Sequence, residues 1–253
     1  MHVLNSAIIA FSTYTRFPMP QVEWTEENRK YTMCFFPLIG FIISGIIWFW
    51  LYICNRLNIN LLIKGAFSAI IPLMVTGGIH MDGFMDTTDA LASWQTKEKK
   101  LEILKDSRVG AFAVIGCVSY LLLFAALFSE ADVSKGPFLG VCFVLSRVMS
   151  SWTMTILRSA RTNGMLDNFA ATAKKRIVSI SGCIYALICI VIWCFSTFWL
   201  ALLCAATVVL VTLYYRHMVY KHFGGVTGDL AGWYSQMLEI CLVAMVVLGG
   251  KLL

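Results

Sequence analysis

The sequence predicts an all-α polytopic integral membrane protein, with about seven transmembrane helices and a short N-terminal helix that is re-entrant or interfacial. Three observations lead there. Hydrophobic residues make up 59% of the 253 residues and mean hydropathy is +0.76. Charged residues make up 13%, about half the ~25% of an ordinary soluble domain. The apolar runs are continuous rather than alternating, which excludes a transmembrane barrel. A soluble globule of this size lacks the interior to hide so much apolar surface, and the same composition excludes disorder, a coiled coil and a secreted disulfide scaffold.

Charge-free runs locate the spans in order, because a helix needs about 20 apolar residues to cross. Val3–Thr15 is apolar but short and ends near Pro18 and Pro20, which makes it the re-entrant or interfacial helix. Residues 31–55 carry no Asp, Glu, Lys or Arg, and 57–79 carry only Lys64. Residues 109–129 are charge-free, and 136–157 hold one interior charge, Arg147. Residues 177–215 are charge-free for 39 residues, enough for two helices broken near Ser196 and Thr197. Residues 230–250 hold only Glu239. The whole chain reads as one membrane-embedded domain.

Lys and Arg orient these spans. The N-terminal stretch and the loops at 80–108, 158–176 and 214–229 together carry fifteen, against three on the other side. The positive-inside rule therefore puts the N-terminus and the three long loops in the cytoplasm. The net charge of +6 is then topological, and no nucleic-acid partner is expected. The nine cysteines lie in or beside apolar runs, no two standing two residues apart, and read as small buried hydrophobes. No cleavable signal peptide is expected, since no n-region charge cluster precedes the first apolar stretch.

The chemistry concentrates in Thr76–Leu91. On a helix Asp82, Asp86 and Asp89 stand at i, i+4 and i+7 and share one face. They repel one another with no basic residue interleaved, and a divalent cation resolves that; an all-oxygen set of this kind suits Mg²⁺ held jointly with substrate phosphates. The bland alternative is a solvated acidic helix end. Gly77, Gly78 and Gly83 permit a tight break and close approach of a phosphate to backbone. His80 is a candidate phosphate-orienting group or general base, or simply caps the span. Downstream, Asp106 is a candidate to complete the metal set and Arg108 to bind phosphate, against the reading of an ordinary interfacial helix cap. Arg147 lies mid-span, where a guanidinium is costly and by default marks function. It needs a partner, either the acidic cluster or an anionic substrate. Thr227 and Asp229, in the glycine-containing stretch before the last span, form a candidate ligand or metal loop, and Glu239 a neutralised or paired acid.

Taken together these segments resemble the cobalamin synthase (adenosylcobinamide-GDP ribazoletransferase) family. Gly77-Gly78-Ile79-His80-Met81-Asp82-Gly83-Phe84-Met85-Asp86-Thr87-Thr88-Asp89 looks like that family's GG-hydrophobe-H-x-DG-x-x-DT-x-D signature. The likeness continues in order through Thr15-Arg16-Phe17-Pro18-Met19-Pro20, Phe36-Pro37-Leu38-Ile39-Gly40 and Leu101–Gly110. It then includes Ser146-Arg147 and Gly224-Gly225-Val226-Thr227-Gly228-Asp229. The sequence departs from the pattern at Thr162 and Asn163, where the family carries two acids. It also departs at Gln236, where a Glu is frequent, and at Ala90, where Gly is common.

The resemblance implies the last joining step of a cobalamin nucleotide loop. Adenosylcobinamide-GDP and α-ribazole, or its 5′-phosphate, give adenosylcobalamin, or its 5′-phosphate, and GMP. It implies Mg²⁺ on Asp82, Asp86, Asp89 and Asp106, and substrate contacts from Arg16, Arg108, Arg147, Thr227 and Asp229. His80, Asp82 and Asp86 are the expected catalytic groups, with attack by the ribazole 5′ oxygen on the cobinamide-bearing phosphorus. The site faces the cytoplasm from the bacterial inner membrane, with the lipid bilayer as a partner. A homo-oligomer or other enzymes of the corrinoid pathway are the remaining partner candidates. The competing readings are a CDP-alcohol phosphotransferase, whose Ala-Arg is replaced by Asp86-Thr87, and a prenyltransferase, whose second DxxxD is missing. A transporter is the third, and it requires acids deep in several spans.

Overall fold

The computed structural model describes residues 1–160, 172–195 and 198–252. The segment beginning at Arg161, including Thr162 and Asn163, and the expected break at Ser196 and Thr197 lie outside these residues. Helix is the regular element throughout the described residues, apart from a single bridge between Ser159 and Val226. The chain is an all-α polytopic membrane protein. Among the described residues six helices are long and apolar enough to cross a bilayer, and a further pair, Leu61–Thr76 with Ile79–Ala92, is bent by 100° at a short break.

The elements follow the apolar runs. α1 (His2–Tyr14) has 13 residues, too few to cross at about 1.5 Å per residue. It packs on α2 (Glu26–Arg29) and on α3 (Thr32–Arg56). Ser6 Oγ donates to Asn28 O at 2.6 Å. The chain then runs extended, and Arg16 N donates to Val75 O at 2.9 Å, tying the N-terminal segment to the end of α4 (Leu61–Thr76). α5 (Ile79–Ala92) and α6 (Lys97–Ile103) follow, then α7 (Ala111–Ser129), α8 (Gly136–Ile156), α9 (Lys175–Cys194), α10 (Phe198–His222) and α11 (Gly228–Ala244). α11 continues through a wide turn over Met245–Gly249.

Burial sorts the crossing helices into a centre and a rim. α8 is 83% buried and the last segment 72%, whereas α10 is 17% buried. α8 is correspondingly the least apolar of the six and carries Ser146, Arg147, Ser150, Ser151, Thr153 and Thr155 inward. Polar groups are tolerated there because neighbouring helices, not lipid, surround them. Ser44 Oγ of α3 donates to Gly140 O of α8 at 2.6 Å, and Ser151 Oγ of α8 donates to Met33 O at 3.3 Å. Tyr120 of α7 donates to Gln236 Oε1 of α11 at 2.8 Å. The outer faces of α7, α9 and α10 present Leu122, Leu187 and Leu210 to the surroundings, as lipid contact requires.

The central bond is ionic. Arg147 and Glu239 are both 2% exposed and meet at 2.5 Å, joining α8 to α11. Arg147 also donates to Phe143 O at 2.8 Å, and Ser146 Oγ donates to the same Glu239 oxygen at 3.0 Å. The two charges that looked like separate intramembrane anomalies thus neutralise each other. Removing one member leaves the other buried and unpaired. Arg147→Ala is expected to cost about 3–5 kcal/mol, whereas Arg147→Met with Glu239→Leu should recover most of it. Thermal unfolding of the two variants in detergent checks this; equal losses would contradict it.

Candidate metal and substrate site

The site begins with a turn that only glycine makes easily. Gly77 and Gly78 both take positive φ, +66° and +80°, a conformation costly for other residues. Two left-handed residues in succession turn the chain by 100° between α4 and α5. α4 carries the apolar run, and α5 leaves the crossing direction with the aspartates on it. Arg16 lies against Gly77, where a Cβ would strike its side chain. The expected substrate-binding arginine therefore stands, exposed, at the foot of the acidic helix.

α5 then crosses the start of α11 at backbone contact distance. A Cβ on Gly83 would lie 2.6 Å from Asp229 O, and one on Gly232 would lie 3.0 Å from His80 O. This crossing brings Asp229, in the first turn of α11, to the α5 carboxylates. Thr227 caps that helix, accepting from Leu230 N at 3.3 Å, and its hydroxyl donates to Asp229 Oδ2 at 3.4 Å. The loop ahead of it is pinned to the end of α8: Val226 N donates to Arg158 O at 2.9 Å and Ala160 N to Val226 O at 3.0 Å.

Asp86 lies half-buried at the middle of the cluster, and Asp82 is exposed beside it. Burial, followed by the negative charges of Asp82, Asp229 and Asp89, pushes the Asp86 carboxyl up to about 6. Four carboxylates are thus electrostatic neighbours. Among the described residues no three His, Cys, Asp or Glu side chains close on one point at ligating geometry. An all-oxygen, open set fits Mg²⁺, which keeps water and phosphate ligands and takes few from protein.

The other sequence candidates divide. Asp89 accepts from Gly110 N at 2.6 Å and from Ala113 N at 2.8 Å. It caps the N-terminus of α7, whose dipole favours a carboxylate there. Asp106 is held by Arg108 through Nε and Nη2, the closest contact being 2.7 Å. That pair sits on the exposed rim just before Gly110, and Arg108 lowers the Asp106 carboxyl to about 2. Asp106 is not among the charges felt by Asp86. Arg147 belongs to the central ion pair. His80 is buried beneath α5, its ring 6.0 Å from Tyr14 and 5.5 Å from Phe36, with no protein partner for either nitrogen. Burial first, and then Arg147, pushes its imidazole well below the ordinary value. It is neutral and turned away from the carboxylates. Sequence reasoning missed Asp89's capping role and the Tyr14–Phe36 wall around His80. The small residues Gly83 and Gly232 were the available signal for the crossing.

A family profile described as Cobalamin-5-phosphate synthase matches residues 6–247. A protein from Lachnoclostridium phytofermentans named adenosylcobinamide-GDP ribazoletransferase is 38% identical over 98% of this chain and 95% of its own. One of the same name from Clostridium botulinum strain Alaska E43 is 34% identical over 94% and 95%. Another from Desulforamulus reducens is 29% identical over 99% of each. No solved structure matches the chain.

The crossing gives a steric prediction. Gly83→Val forces a side chain onto the Asp229 backbone and should cost about 1–3 kcal/mol of overpacking. Thermal unfolding in detergent is the check, and an unchanged midpoint would refute the contact.

Proposed function

Because the chain belongs to the cobalamin-5-phosphate synthase family, we propose that it joins adenosylcobinamide-GDP to α-ribazole 5′-phosphate, or to α-ribazole, with release of GMP. The observation that supports this reading is the α5–α11 crossing, which brings Asp229 of α11 within electrostatic reach of Asp86, beside Asp82, on an open face. Asp82, Asp86 and Asp229 would hold Mg²⁺ against the pyrophosphate. When bound, the ion neutralises the charge that develops on the transferred phosphoryl group and its leaving oxygen. Arg16, at the foot of α5, and Arg108, on the rim, supply the cationic contacts to phosphate oxygens. Asp89 keeps the Arg108 loop against the cluster through Gly110. Arg147 acts as a positioning residue: through Glu239 it fixes α11, and with it Asp229.

The family's name, with its 5-phosphate product, favours a nucleophile other than the 5′ oxygen. A product that is a 5-phosphate keeps its phosphate on the 5′ oxygen, so that oxygen is not free to attack. The phosphorylated co-substrate therefore attacks through a secondary ribose hydroxyl. That oxygen forms the new bond to the cobinamide-bearing phosphorus, the bond to the bridging pyrophosphate oxygen breaks, and GMP departs. The hydroxyl proton passes to a cluster aspartate, since buried His80 has no open path to it. The enzyme works from the bacterial cytoplasmic membrane with the site facing inward, as the excess of Lys and Arg in these loops supports.

Purified protein in detergent, given both substrates, should release GMP and form a new corrinoid with Mg²⁺ and not with EDTA. Asp86→Asn should lower the rate by about 10²-fold or more, the scale of a lost charge-stabilising contact. Asp86 must be ionised to bind a cation, so the Mg²⁺ requirement should rise as pH falls through about 6. Near-normal turnover by Asp86→Asn, or equal rates with EDTA, would defeat this reading.

A further inference from the structure

A second charged cluster, of opposite sign, is left unused by this chemistry. α6 follows the acidic helix and reaches the end of α10. Lys100 is 5% exposed, its stem packed and its Nζ drawn to 3.2 Å from His222 Nδ1. Lys97 Nζ donates to Tyr220 O at 3.2 Å, and the Tyr220 hydroxyl accepts from Arg158 N at 3.1 Å. Arg216, His217, Tyr220 and Lys221 line an open groove of about 480 Å³ on the same end of α10.

Among the described residues no carboxylate acts on His222 at the centre of this group. The charges acting on His222 are those of Lys100, Lys221, His217 and Lys97. Of the two acids on α6, Glu102 pairs with Lys99 at 2.7 Å, and the exposed Glu98 is acted on by Lys97. Holding a buried lysine among other cations is unfavourable unless an anion joins them. The position is also telling. Phe223–Val226 alone separate His222 from the Thr227–Asp229 cap, and that loop is pinned to Arg158 and Ala160. The cationic cluster and the acidic cluster are thus the two ends of one short, fixed loop.

We propose that Lys97, Lys100 and His222, with the Arg216–Lys221 face of α10, bind a phosphomonoester: the 5-phosphate that the co-substrate brings and the product keeps. The inference rests on the transferase reading above. An anionic lipid headgroup offers the same chemistry, so the test separates the two sources. Lys and Arg at such a site act as charge-assisted donors to phosphate oxygens.

The experiment measures KM for α-ribazole 5′-phosphate and for α-ribazole in nanodiscs of purely zwitterionic lipid and of mixed anionic lipid. It compares wild type with Lys100→Gln and with the exposed Lys97→Gln, which has little packing to lose. KM for the phosphorylated substrate should rise about tenfold, the scale of one lost charge-assisted contact, and that for α-ribazole by less than about twofold. Equal changes for both substrates, no change in either, or an effect seen only with anionic lipid would overturn the proposal. Thermal stabilisation by inorganic phosphate gives a reading free of turnover: it should appear in wild type and fade in both variants, and equal stabilisation in all three overturns the site. Wild type that turns over neither substrate refutes the transferase reading, and the phosphate titration then judges the site by itself.

Discussion

Everything distinctive about this molecule depends on α5 crossing α11 with nothing but backbone between them. Gly83 has no side chain to hold Asp229 away, and a Cβ there would sit 2.6 Å from the Asp229 carbonyl oxygen. The consequence is electrostatic. Carboxylates from two helices far apart in sequence become electrostatic neighbours, and Asp86, raised first by its burial and then by the charges of Asp82, Asp229 and Asp89, holds its proton more tightly. The Gly77–Gly78 turn delivers the acidic helix, and the Arg147–Glu239 pair holds its counterpart, so that neither helix is free to relax away.

The surrounding bundle follows from the solvent it occupies. In lipid there is no gain from burying apolar surface of one helix against another, so close packing and polar contacts hold the helices together. The described interior accordingly links α3, α7, α8 and α11 through Ser44, Ser151, Tyr120 and the central ion pair. The rim helices α9 and α10 join this interior through Trp193 to Phe138 O and Thr212 to Tyr234, and their outer faces stay apolar. The fold thereby concentrates its polar chemistry along one central column that ends beneath the acidic helix, where His80 rests against the paired rings of Tyr14 and Phe36.

Much of this was legible in the sequence. Runs poor in charge gave the spans and the short first helix, including the two that carry Arg147 and Glu239, because a bilayer penalises charge in a crossing segment. The i, i+4, i+7 spacing gave the acidic face. Gly77–Gly78 signalled that a tight break was possible, but not its 100° angle, which comes from the positive φ that both glycines adopt in succession. Spacing put Asp89 with Asp82 and Asp86, and its charge does act on Asp86; what spacing did not show is that it also accepts from the Gly110 and Ala113 amides at the start of α7. Arg147 and Glu239 were each visible as a cost, and their pairing needed the third dimension, being 92 residues apart. The placement of Asp229 beside Asp86 required knowing that two glycines on different helices meet.

The central claim is that carboxylates of α5 and α11 serve one cation. The direct measurement is Mn²⁺ binding, followed by electron paramagnetic resonance, in wild type, Asp86→Asn, Asp229→Asn and the double variant. A shared ion predicts that each single change weakens binding and that the double variant loses less than the sum of the two, a coupling beyond about 0.5 kcal/mol. Undiminished binding by Asp229→Asn, or losses that simply add, would contradict the account.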